Sequence, residues 1–155
     1  MTPEHGALLE RMRTSVAVVR RAVAAVPEER LRAAPAPGEW SALETLVHLA
    51  HVVVHVYGLR IRRLLYEDAP VFADFDEPRY REETLVRGDS ADELVAIVAG
   101  EQEQLARLLR LLPDDQWARA GRHPTLGVMS IEFLARRVGE HAEEHAAQIT
   151  AAGRG

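Results

Sequence analysis

The stretch Ser130-Ile-Glu-Phe-Leu-Ala-Arg-Arg-Val-Gly-Glu-His-Ala-Glu-Glu-His-Ala-Ala-Gln-Ile149 decides the fold. Ile131, Leu134, Val138, His141, His145 and Ile149 recur at steps of three and four residues. That period traces one stripe of an α-helix. Glu132, Arg136, Glu140, Glu143 and Glu144 occupy the opposite, water-facing side. His141 and His145 therefore point inward, one turn apart, where the pattern calls for core residues. A buried imidazole without partners costs about 1–3 kcal/mol. Two neighbouring ones have two ways out. Each can bond carbonyls or hydroxyls, or both can share a metal ion, because histidines at i and i+4 chelate well.

Working outward from this helix, three more amphipathic segments appear. The first runs from Thr2, a fitting N-cap ahead of Pro3, to Val26, with the stripe Leu8, Met12, Val16, Val19, Val23 and Val26. The second opens at Ser41, with Glu44 at capping-box spacing, and extends to Tyr66. The third starts at Ser90, with Glu93 at the same spacing, and ends near Leu112. Ser130 caps the fourth, which runs to Ala151. Between them lie a Pro- and Ala-rich connection, Pro27 to Glu39, in which Pro-Glu-Glu-Arg-Leu suits one helical turn, and the segment Pro113 to Met129. The acidic stretch Glu67 to Asp89 exceeds usual loop lengths, so it is either functional or partly helical. No strand-like alternation and no internal repeat is visible. The expectation is an all-α single domain over residues 1–155, a four-helix bundle with long connections.

Composition narrows the function. The 47% hydrophobic fraction suits a globular core, and cysteine is absent, so a metal site would rest on histidine, carboxylate and water. Net charge is −5, all 19 basic residues are arginine, and acidic and basic residues are mixed without a basic block. Nucleic acid is thereby disfavoured as a partner. The N-terminal Met-Thr-Pro-Glu-His lacks the features of a signal peptide, and no apolar run approaches the roughly 18 residues of a membrane span. A cytoplasmic protein with no membrane partner is expected.

The second helix is apolar nearly all round, through Leu43, Leu46, Val47, Leu49, Val52, Val53, Val54 and Val56, so its own bundle or a second subunit must cover it. Its polar exceptions, Glu44, His48, His51 and His55, form a stripe. That stripe is either the helix's solvent face or the wall of a polar cleft that adds a third ligand to His141 and His145. Three histidines from two helices would make an open, catalytic-type site, suited to zinc, nickel or ferrous iron. The formal match of His141-Ala-Glu-Glu-His145 to the inverted zinc-peptidase signature fails on size: few residues follow for a further ligand.

Gly38-Glu-Trp-Ser-Ala-Leu-Glu-Thr-Leu-Val-His48, Trp117-Ala-Arg-Ala-Gly-Arg-His-Pro-Thr-Leu-Gly127 and His141-x-x-x-His145-x-x-Gln148-Ile149 together resemble the DinB-like (DinB/YfiT-like) superfamily of four-helix bundles. The resemblance spans essentially the whole chain. It implies that His48, His141 and His145 bind one divalent metal, with water completing the sphere. His51 and His55 would then support the ligands from behind or line the cleft. It also implies a homodimer and a small-molecule substrate. Characterised members of that superfamily include metal-dependent enzymes that use low-molecular-weight thiols such as mycothiol or bacillithiol, in S-transfer or maleylpyruvate isomerisation, and others have no established activity. The leading expectation is a metal-dependent transferase joining such a thiol to a small electrophile. Arg62, Arg79 and Arg81 are candidates to meet an acidic cosubstrate. The alternatives are a metal-dependent hydrolase and a non-enzymatic metal-binding stress or interaction protein. Trp40, Tyr57, Tyr66 and Trp117 suit helix contacts better than a pocket. Glu101 suits a solvated edge, and His5 and His123 have no assigned role.

Overall fold

In the computed structural model, which describes residues 1–154, the chain folds into four long helices with one short helix and a small hairpin set into the connections. Helix α1 is Pro3–Ala24, and α2 is one continuous helix over Ala42–Tyr66. Helix α3 is Glu77–Arg87, α4 is Ala91–Arg110 and α5 is Ile131–Ala152. Strands β1 (Ala120–His123) and β2 (Gly127–Ser130) pair antiparallel, with Gly121 opposite Met129.

Local chemistry sets the helix starts. Thr2, Ser41, Ser90 and Ser130 each accept a backbone N–H at the N-cap, and Ser41/Glu44 and Ser90/Glu93 form complete capping boxes. Gly88, at φ 82°, ends α3 in the left-handed region. Packing then sets the topology. Helices α1 and α2 each lie against both α4 and α5, which puts sequence neighbours on the bundle's diagonals. Simple up-down bundles place sequence neighbours side by side, and the long connections here permit the crossing. Met12, Val19, Leu46, Ile61, Val98, Leu105, Leu134 and Ile149 fill the core where the four helices meet.

Three expectations are corrected. The segment before α5 holds a β-hairpin, which the absence of alternation had hidden. It is stitched to the acidic connection, where Phe72 N donates to Arg122 O and Arg122 N donates to Pro70 O. Although no apolar run was expected to approach the length of a membrane span, helix α2 is by length and composition alone long and apolar enough to cross one. Over half of its most apolar window is buried in the bundle, as a core helix requires. Its apolar faces are thus largely covered within one chain. Finally, Glu101 is not a solvated edge residue: its side chain is 9% exposed and paired with Arg62.

The acidic connection is partly helical, since α3 lies within it, capped by Asp76 and carrying Pro78 in its first turn. Within α2, residues Val52–Gly58 are π-helical, a local widening common near functional sites. Gly58 closes this segment. A Cβ there would sit 1.9 Å from Glu101 Oε1 and 2.8 Å from Val53 O, so only glycine lets the Glu101–Arg62 pair lie against the helix.

Candidate metal centre

The capping box at Ser41 fixes where α2 begins, and two turns on it delivers His48 to the bundle's edge facing α5. Helix α5 presents His141 and His145 on its inner stripe. One ring nitrogen from each of the three histidines lies within 4.8 Å of the others. The Nε2 atoms of His141 and His145 are 3.0 Å apart, with the two rings at 90°. The His48 ring is centred 4.8 Å from that of His145 and 5.6 Å from that of His141. The structure therefore brings together the three residues singled out as ligands.

The surroundings of the two histidines on α5 keep them neutral. His141 is pushed down to about 3, first by burial and then by the neighbouring His145, His48 and Arg137. Burial likewise lowers His145, against a raising contribution from Gln148. Neutral imidazoles carry the lone pair that a metal needs.

The outer nitrogens are held unequally. His145 Nδ1 lies 2.6 Å from Gln148 Oε1. His48 Nδ1 lies 3.1 Å from Glu77 Oε1, close but without hydrogen-bond alignment. His141 Nδ1 is buried without a hydrogen-bond partner, 3.7 Å from Glu144 Oε2. Tyr57 packs edge-on against His141, and Trp40 against His48.

A divalent cation fits these residues. Metal–nitrogen bonds of about 2.1 Å put two imidazole nitrogens roughly 3.0–3.4 Å apart, which the His141–His145 spacing matches. The donor set is imidazole with no thiolate, which suits zinc, nickel or iron. The three histidines border an open pocket of about 640 Å³, whose walls include Pro35, Gly38, Trp40, Thr45, Gln148 and Ala151.

His51 and His55 face elsewhere. They line a separate groove of about 310 Å³ against α3, where His51 Nε2 is 2.5 Å from Thr84 Oγ1. The His55 ring stacks on Phe75 and packs tilted against Tyr80, which itself stacks on Phe75. Neither ring stacks on a triad ring; the groups beside the triad's outer nitrogens are Gln148, Glu77 and Glu144. None of the three candidate arginines lines the pocket. Arg62 pairs with Glu101 and Gln104, and Arg79 with Glu83. Arg81 pairs with Glu44 and Glu77 and lies 4.5 Å over the Trp40 ring.

Of the four aromatics judged better suited to helix contacts, Trp40 is the one in the pocket wall; Tyr66 is exposed and Trp117 is core. His5 stacks on Trp117 and bonds Asp114, while His123 Nδ1 accepts from the backbone of the hairpin turn at Thr125 and Leu126. Glu77 was not anticipated. The usable signal was Asp76-Glu77-Pro78, an N-cap followed by a first-turn proline, which announces a helix and places Glu77 at its start.

This arrangement of bundle and triad coincides with a family assignment. The chain belongs to the DinB superfamily, whose sequence profile matches residues 9–149. Among solved structures it is similar to YfiT from Bacillus subtilis, described as "a probable metal-dependent hydrolase with an unusual four-helix bundle topology". Identity there is 23%, over 99% of this chain and 89% of YfiT, with a TM-score of 0.88. It is also similar to a mycothiol-dependent maleylpyruvate isomerase, at 16% identity and TM-score 0.69, over 96% of this chain and 63% of the isomerase. At these identities the likeness shows the shared fold. No curated protein matches the sequence.

Proposed function

We propose that this protein is a metal-dependent enzyme in which His48, His141 and His145 hold one divalent cation at the edge of the 640 Å³ pocket. The observation that carries the reading is the convergence of three imidazoles, two partly buried and one buried, beside that pocket. A chelating set of three leaves positions free for water or substrate, which distinguishes a catalytic from a closed structural site. When bound, such a cation lowers the pKa of a thiol or a water and so supplies a nucleophile near neutral pH. The chain's own residues hold the nitrogens in place, keep those of His141 and His145 unprotonated, and shape the pocket with Trp40, Pro35 and Ala151.

The finer reading is transfer of a low-molecular-weight thiol to a small electrophile. It is supported by the cysteine-free sequence, which leaves the sulfur to a cosubstrate, and by the mycothiol-dependent relative. Hydrolysis is the second reading, favoured by the likeness to YfiT over nearly its whole length. A cytoplasmic setting and a homodimer belong to the same proposal. The dimer is supported by exposed Leu59, Tyr66 and Val128, and sedimentation would measure it.

The test is elemental analysis of tag-free protein beside the His141→Ala/His145→Ala double variant. About one equivalent of metal, lost in the variant, supports the site. Saturable thiol consumption by the loaded protein then supports transfer, and turnover without thiol supports hydrolysis. Failure of the wild type to retain added metal would overturn the reading.

A further inference from the structure

We infer that Gln148 is a positioning residue that sets the tautomer and orientation of His145 on α5. Its side-chain oxygen lies 2.6 Å from His145 Nδ1. An amide oxygen accepts and cannot donate, so Nδ1 of His145 carries the proton and its Nε2 carries the lone pair. That lone pair faces His141 Nε2 at 3.0 Å, the spacing of two nitrogens that share one cation.

His145 is therefore already the tautomer that offers Nε2 to a cation, with its ring held from the other side by Gln148.

The affinity consequence rests on the proposed metal site; the proton arrangement does not. Residues that orient a ligating histidine through its second nitrogen typically contribute 10- to 100-fold in metal affinity. The experiment is long-range ¹H–¹⁵N NMR of the histidine rings in metal-free protein, for wild type, Gln148→Ala and Gln148→Glu, beside zinc affinity by chelator competition. The expected result is a single Nδ1–H tautomer for His145 in the wild type, retained in Gln148→Glu, whose carboxylate also only accepts. In Gln148→Ala that tautomer becomes mixed, and zinc affinity falls about 10- to 100-fold. An Nε2–H tautomer for His145 in the wild type would overturn the inference, as would a Gln148→Ala protein unchanged in both tautomer and affinity. If the wild type binds no zinc, the metal reading fails, while the ring spectra alone decide the role of Gln148.

Discussion

His141 and His145 meet nitrogen to nitrogen at 3.0 Å, in a site that also lowers the proton affinity of both. His141 is pushed down to about 3 in the folded protein, from an ordinary value of 6.5. Between those values the unfolded chain binds a proton that the folded chain refuses. Stability from this group is therefore complete above about pH 6.5 and is lost as pH falls toward 3. His145 is lowered in the same sense.

Chelator-treated protein should accordingly lose urea stability between pH 7.5 and 5.5, and His141→Gln should lose less over that range. Denaturation midpoints at the two pH values provide the check. Parallel losses in both proteins would remove His141 as the cause.

Gly58→Ala should destabilise the protein by about 1–3 kcal/mol, the usual cost of forcing an atom into a packed site. The new Cβ would sit 1.9 Å from Glu101 Oε1 and 2.8 Å from Arg62 Nη1. Glu101→Ala in the same background should restore part of the loss, because it removes the nearer atom. Urea unfolding of both single variants and the double variant measures this coupling. Additive losses would show that the Val53 carbonyl, and not the ion pair, makes glycine necessary.

What the sequence disclosed, and what it withheld, divides along local and non-local lines. Ser41 with Glu44 and Ser90 with Glu93 announce helix starts through chemistry confined to four residues, and both capping boxes form. The stripe from Ile131 to Ile149 needs only helical period, and Ile131, Leu134, Val138, His145 and Ile149 are all buried along α5. The hairpin differs, because Ala120-Gly-Arg-His123 has no alternation and is held by pairing with Gly127–Ser130 and by the bridge to Val71. The π-helical turn at Val52–Gly58 has no sequence period to find. Glu101 looked solvated because its partner, Arg62, lies on another helix. His48, His51 and His55 share one stripe in the sequence, yet helix packing sends His48 to one cleft and the other two to another.

His123→Ala should cost about 1–3 kcal/mol, although the sequence gives the residue no evident purpose. Its ring is 1% exposed, and Nδ1 accepts from the backbone N–H groups of Thr125 and Leu126 at 3.3 and 3.2 Å. Nε2 faces Asp74 at 3.1 Å. Removing the ring leaves two turn donors without their acceptor and opens a space under the hairpin. Hydrogen exchange at Thr125 and Leu126 should rise along with the loss in thermal stability. Unchanged protection there would mean that water replaces the ring.

Excess zinc should raise the melting temperature of the wild-type protein, and the pattern of variants should show which histidines hold it. A ligand that binds only the folded state at 100 times its Kd adds about 2.7 kcal/mol. His48→Ala, His141→Ala and His145→Ala should each abolish most of that rise, since two imidazoles chelate far less well than three. The His51→Ala/His55→Ala double variant should keep it, because those rings line the groove beside Thr84 and Tyr80 and touch none of the triad. Melting curves with and without zinc for these five proteins separate the two histidine sets. Loss of the rise in the double variant, with His48→Ala unaffected, would move the metal to the other groove.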